Sequence, residues 1–259
     1  MNFARLLLAC LLMQTPAAAA TLSVAAAANL VYALDALHAA FKQLEPETTI
    51  NVTLGASGSL VTQITHGAPF DVFLSADLYY PQALIKAGQA DADSLTPFAT
   101  GQLVLWTTKP GLELTALATA VRQPSVKKIA IANPATAPYG RAAQAALTQL
   151  GVWAEVQPRL VTGENISQTA QFVSSGNADL GFVALSLVLS PQLAEKGRWL
   201  AVPAGLHAPL TQGAVLTRRG AANPAARRYL EFLLSPTARG VFARFGYGPP
   251  VPVLPAMHP

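Results

Sequence analysis

The hydrophobic pattern of this chain switches repeatedly between two periods, and that alternation limits the possible folds more than any other feature. Short apolar runs fall at residues 22–24, 50–54, 71–74, 102–106, 129–132, 180–183 and 213–216. Helical patterns lie between them. The clearest covers 30–44, with Leu30, Leu34, Leu37, Phe41 and Leu44 on one stripe and Asp35, His38, Lys42 and Gln43 off it. Others cover 60–65, 139–150, 166–175 and 224–234, and Gly67, Gly88, Gly151 and Gly176 stand where helix stops are expected. Strands alternating with helices predict an α/β fold with mainly parallel sheets and right-handed crossovers. No linker rich in Gly, Ser or Pro divides the chain. A two-lobed arrangement would need two crossings, for which 102–106 and 213–216 are the candidate strands.

Four loop-to-helix junctions share one chemical character. They are Ala27-Ala28-Asn29-Leu30, Gly55-Ala56-Ser57-Gly58-Ser59, Pro134-Ala135-Thr136-Ala137-Pro138-Tyr139-Gly140 and Thr162-Gly163-Glu164-Asn165-Ile166-Ser167. Each follows a strand-like run and opens a helix-like one. A helix start carries unsatisfied N–H donors and a partial positive charge, so several aimed at one point form an anion site without a basic residue. Asn29 and Asn165 can cap the helices that follow, or offer their amides to a ligand. Ser57 and Ser59 add hydroxyls, Pro138 leaves the Tyr139 N–H as an open donor, and Ile166 falls in a free first turn. The bland alternative at each junction is an ordinary capped helix with no ligand.

The first twenty residues belong to export. Arg5 supplies the positive start, residues 6–13 the apolar core, and Ala18-Ala19-Ala20 a cleavage signal before Thr21. Cys10, the only cysteine, would be the lipidation site of a lipoprotein but leaves hardly any apolar core upstream. Cleavage near Ala20 removes it, leaving no disulfide and no thiol chemistry. The formal net charge of +4 is mild and its basic residues are scattered, so nucleic acid is not an expected partner. No later apolar run is long enough to span a bilayer, so no stable membrane insertion is expected.

Enzymatic chemistry finds little support. The run Gly55-Ala56-Ser57-Gly58-Ser59 is close to the G-x-S-x-G nucleophile elbow, but residue 59 is Ser where that pattern needs Gly. The four histidines, His38, His66, His207 and His258, show no partnership with a serine and a carboxylate. No metal-ligand spacing appears, and Asp71 and Asp77 are better explained as capping or loop groups. Nucleotide-binding glycine motifs are absent.

With these residues in view, the chain resembles the molybdate-binding periplasmic proteins of ABC transporters. The resemblance runs from Thr21 to about Tyr247, carried by VAAAANL, GASGSLVTQITHGAPFDVFLSAD, ANPATAPYGRAAQAAL, GENISQTAQFVSSGNADLGFVAL and YLEFLLSP. It implies a type II periplasmic-binding-protein fold, with two lobes, each a mixed, mainly parallel sheet flanked by helices, joined by two crossover strands. The expected division is a signal peptide at 1–20, a discontinuous first lobe at 21–101 and 212–259, and a second lobe at 102–211.

The resemblance also implies a ligand, molybdate or tungstate, held by Ala28, Asn29, Ser57, Tyr139 and Ile166. A tyrosine hydroxyl used in one subgroup falls on Ala184 and is missing here. Implied too are delivery to an ABC permease, a periplasmic location, action as a monomer, and no cofactor, metal cation or catalytic residue. A donor-only site has no place for the proton that phosphate keeps at neutral pH, whereas molybdate, tungstate and sulfate carry none. The alternatives are the same fold holding sulfate, an exported serine hydrolase acting through Ser57, and a ligand-sensing module. The export signal and the lack of a DNA-binding segment argue against the last.

Overall fold

The junctions are brought together by two sheets built from alternating strands and helices. The structure is a computed structural model describing residues 20–251; the expected signal peptide up to residue 19, with Cys10, and His258 lie outside them. Up to the first crossing, the chain runs β1 (Thr21–Ala27), α1 (Val31–Leu44), β2 (Thr49–Gly55), α2 (Ser57–Thr65), β3 (Val72–Ser75), α3 (Tyr79–Lys86) and β4 (Thr96–Gly101). After it come β5 (Leu103–Thr107), α4 (Leu117–Arg122), β6 (Ile129–Ala132), α5 (Pro138–Gln149), α6 (Trp153–Val156) and β7 (Leu160–Gly163). Then follow α7 (Ile166–Ser174), β8 (Leu180–Ala184), α8 (Leu185–Val188) and β9 (Arg198–Ala201). The chain returns through β10 (Leu210–Leu216) to α9 (Pro224–Leu233) and α10 (Pro236–Arg244).

The first sheet has the order β2-β1-β3-β10-β4 and the second β7-β6-β8-β5-β9. In each, two pairings are parallel and two antiparallel, the antiparallel ones being made by β10 and β5. Leu210 and Thr211 of β10 pair with Gly101 and Thr100, so the returning strand enters the first sheet beside the strand that left it. The sheets are joined by Gln102 and by the segment 202–209.

Strand register sets the site. β1 and β2 pair in parallel from Thr21↔Thr49 to Ala27↔Gly55, so both end at the same level. β6 and β7 do the same in the other sheet, ending at Ala132↔Gly163. A parallel pair necessarily sends both following helices out from one edge, the carboxyl ends of the strands, where α/β sheets bind ligands. The four junctions therefore arrive as two adjacent pairs.

Burial follows the strand period. Leu22, Val24 and Ala26 join Leu30, Leu37, Phe41 and Tyr229 on one face of the first sheet, while Ala25 joins Leu60, Phe73 and Val215 on the other. The α1 stripe is buried at Leu30, Leu34, Leu37 and Phe41, but Leu44, the last residue of the helix, is 66% exposed. His38, expected off the stripe, is half-buried and meets the Tyr229 hydroxyl at 3.0 Å. All four glycines expected at helix stops have positive φ, which side chains with a Cβ adopt at a cost.

Candidate functional site

Some helix starts in the fold are capped by side chains and others, such as those of α1, α3 and α4, are not. Asn223 accepts from the Ala225 N–H before α9, and Ser235 from the Ala238 N–H before α10. The 3-10 turn Ala28–Leu30, α2 and α5 have no side-chain cap, being preceded by Ala27, Ala56 and Ala137. Their first N–H groups have no partner within the helix. The small residues keep those donors uncovered.

At α2, Ser57 is wholly buried and its Oγ accepts from the Ala76 N–H at 3.1 Å. A hydroxyl carries one proton and two acceptor positions, so the Ser57 proton is left for another acceptor. The Gly58 N–H donates to the Thr136 carbonyl at 2.9 Å, joining the second junction to the third. At α5, Pro138 has no N–H, so Tyr139 supplies the first donor of that helix. Gly140 packs onto the end of β6, where a Cβ would collide with the Ala132 carbonyl.

At α7, Asn165 acts as a cap: its Oδ1 accepts from the Ser167 and Gln168 N–H groups, each at 3.0 Å. Its carbonyl takes the Thr169 N–H at 3.1 Å. Ile166 alone in that turn keeps an open N–H, with no acidic residue in the first turn. Glu164 is exposed, and its backbone N–H goes to the Gln168 side chain at 2.7 Å.

Ala28, Ala56, Ala76, Ala137, Tyr139 and Ile166 belong to one continuous buried cluster, which extends into the second sheet. Ala28, Asn29, Ser57, Tyr139 and Ile166, the five residues expected at the site, are all buried. The Asn29 side chain caps no helix. Its Nδ2 donates to Gln212 Oε1 and to the Tyr247 hydroxyl, both at 2.8 Å. With both amide protons engaged, what Asn29 can still offer a ligand is its backbone N–H. Its Oδ1 is buried without a partner, as is the Tyr139 hydroxyl. The Tyr139 ring runs toward the crossing, where a Cβ on Gly101 would collide with its oxygen. Burial pushes the Tyr139 phenol well above its ordinary value, so it stays protonated.

Sequence reasoning missed the groups that tie the site to the crossings. Gln212 donates through Nε2 to the Ala76 carbonyl at 3.1 Å and the Leu210 carbonyl at 2.8 Å. Ser186 donates to the Asn29 carbonyl at 2.8 Å. A glutamine inside the otherwise apolar, fully buried strand LTQGAVL was the available signal for Gln212. Nothing local marked Tyr247.

Arg141, two positions after Tyr139, is not free for an anion, being ion-paired with Asp77. Asp77 Oδ1 also accepts from the Ser75 hydroxyl at 3.1 Å and the Tyr80 N–H at 3.3 Å. Burial pushes the Asp77 carboxyl up more than the Tyr80 N–H, the Arg141 charge and the Ser75 hydroxyl pull it down. Asp71 is likewise occupied, by the Ser23 N–H and Arg219. Among the described residues no group of His, Cys, Asp and Glu could hold a metal ion. His38, His66 and His207 bond to Tyr229, the Thr62 carbonyl and the Ala208 carbonyl, so none is placed to act as a base for Ser57.

Two five-stranded α/β sheets, twice connected and presenting open helix starts to one another, define a two-lobed solute-binding protein. The profile of the bacterial extracellular solute-binding proteins matches residues 22–248, and the chain belongs to that family. It is 40% identical to the molybdate-binding protein ModA of Rhodobacter capsulatus over 232 residues, 90% of each chain. The periplasmic molybdate-binding protein of Azotobacter vinelandii superposes with a TM-score of 0.83 at 34% identity, covering 89% of this chain and 100% of that one. The substrate-binding domain of a molybdenum ABC transporter from Clostridium difficile is 28% identical, with a TM-score of 0.66 and coverage of 89% and 99%. This is a transport family, not an enzyme family, which removes the hydrolase alternative.

Proposed function

We propose that this chain captures molybdate, and tungstate equally well, between its two lobes in the periplasm and delivers it to the membrane permease of an ABC importer. The carrying observation is the convergence of four helix starts from both sheets, whose open groups, the Asn29 Oδ1 apart, are N–H and O–H donors. The proposed contacts are the N–H groups of Ala28, Asn29, Tyr139 and Ile166, and the N–H and hydroxyl of Ser57. The lobes are proposed as residues 21–101 with the returning chain from β10 onward, and 102 to the start of β10. The mature monomer would begin after cleavage near Ala20 and need no cofactor. The similarity to proteins named for molybdate supports the ligand, and the Azotobacter vinelandii relative, named as periplasmic, supports the location. Among the described residues no helix is long and apolar enough to cross a membrane.

The chemistry of the donors selects the ion. Each bond from a neutral donor to a dianion contributes on the order of 1.5–3 kcal/mol, so about six hold it tightly even after the closure cost. Monohydrogen phosphate brings a proton that finds no acceptor among these donors. Sulfate is smaller than molybdate, and fixed N–H groups on separate helices cannot all reach it. Tungstate matches molybdate in charge, shape and size.

Calorimetric titration of the purified protein with molybdate, tungstate, sulfate and phosphate is the test. Molybdate and tungstate are expected to bind alike, and the other two far more weakly. Sulfate binding as tightly as molybdate would sink the assignment.

A further inference from the structure

Six ion pairs are formed among the described residues, and only Arg141–Asp77 joins the two lobes. Asp77 follows β3 of the first sheet, and Arg141 lies in α5 of the second. One guanidinium nitrogen meets Asp77 Oδ2, and another donates to the Tyr80 hydroxyl at 3.0 Å. The Tyr80 hydroxyl in turn donates across the gap to the Ala135 carbonyl at 3.2 Å. The guanidinium also lies 5.0 Å from the centre of the Tyr80 ring and 5.5 Å from that of Tyr79. An arginine can bond through its edge and stack through its face at once, which a lysine cannot.

We infer that Arg141 is a positioning residue that latches the lobes together and so governs how fast a bound anion leaves; this rests on the solute-binding reading above. The latch touches both donor-bearing segments. Asp77 follows Ala76, whose N–H holds the Ser57 hydroxyl. Arg141 sits two residues beyond the Tyr139 donor, within the first turn of α5. Gly58 makes room for the cross-lobe tyrosine, since a Cβ there would lie 2.5 Å from the Tyr80 oxygen. Water reaches the pair through an open cleft of about 870 Å³ lined by Asp77, Tyr79, Tyr80, Pro138 and Arg141, so salt weakens the latch. The contacts exist only with the lobes together, so their loss acts on dissociation and spares the encounter between anion and open protein.

Stopped-flow fluorescence at increasing molybdate concentrations reads both rates, with Arg141→Met, Asp77→Asn, the double variant and Arg122→Met compared with wild type. Arg122 pairs with Glu155 inside the second lobe and serves as the control. Arg141→Met is expected to raise the release rate roughly tenfold and to leave the association rate within about twofold. The double variant should release no faster than Arg141→Met, Arg141→Lys should restore only part of the effect, and Arg122→Met should behave as wild type. Added salt should speed release from wild type and not from Arg141→Met. The latch is refuted by an unchanged release rate in Arg141→Met, by an equal change in Arg122→Met, or by a fall confined to association. If Arg141→Met fails to fold, Asp77→Asn decides by the same readout. Wild type that binds no molybdate would overturn the functional reading itself, a result distinct from a latch variant that binds and releases normally.

Discussion

The Tyr247 hydroxyl lies 2.8 Å from the Asn29 amide nitrogen, although 218 residues separate them in the chain. The same oxygen is 2.9 Å from the Asn29 carbonyl and 3.1 Å from Ser186 Oγ. The returning C-terminal segment therefore holds the first junction and reaches the second lobe through one buried hydroxyl. Replacing it with hydrogen in Tyr247→Phe leaves the Asn29 amide short of an acceptor. A buried group so orphaned costs about 1–3 kcal/mol. Urea unfolding should show a loss of that size together with weaker molybdate binding. Unchanged stability and unchanged affinity would show that the contact does nothing.

Ser57→Ala removes the one side-chain hydroxyl proposed to face the anion. The loss of a charge-assisted bond, roughly 1.5–3 kcal/mol, corresponds to a molybdate affinity lower by about tenfold or more. Calorimetry measures it directly. An affinity within twofold of wild type would place the hydroxyl elsewhere.

Tyr139→Phe should behave in the opposite sense. The Tyr139 hydroxyl is buried without a partner, whereas its proposed contribution to binding is the backbone N–H, which the substitution keeps. Removing an unpaired buried hydroxyl is expected to leave affinity equal or raise it, and to raise the thermal midpoint of the liganded protein. A tenfold loss in affinity would mean that the hydroxyl itself bonds the ion.

Stability should decline on acidification through His38. Burial lowers its pKa from the ordinary 6.5, outweighing the attraction of Asp35, so the unfolded chain takes up the proton at higher pH than the fold does. The stabilising contribution is therefore complete above pH 6.5 and is lost as pH falls from there through the lower folded value. Thermal midpoints between pH 8 and pH 5 should fall in wild type and fall less in His38→Gln. Parallel curves for the two proteins would remove His38 from the account.

Much of the architecture was legible because the signals are local. The apolar runs at 129–132 and 180–183 match β6 and β8 closely, and the periodic stretch at 30–44 contains α1. β4, β7 and β9 carried weaker signals: TPFATG holds a proline and a glycine, LVTG is only four residues, and RWLA begins with a charge. α3 was hidden by Pro81 and α10 by Gly240, residues that interrupt a helical pattern without preventing the helix when packing supports it. At the site, the order small residue, helix start, apolar stripe marked Ala28, Ser57, Tyr139 and Ile166 as junction residues, and the structure buries all four. The Asn29 amide, open in the sequence to a capping or an anion-binding role, bonds instead to Gln212 and Tyr247, partners that no local pattern reveals.

The sequence by itself determined most of the segments that become strands and helices, and the glycines at which four helices stop. Those properties follow from side-chain size, periodicity and backbone freedom over a few neighbouring residues. Only the tertiary structure decided that Ala27 ends level with Gly55 and Ala132 level with Gly163, that Arg141 meets Asp77, and that Tyr247 closes on Asn29. Such pairings join residues far apart in the chain through hydrogen bonds and one ion pair, and their geometry exists only after the sheets have formed.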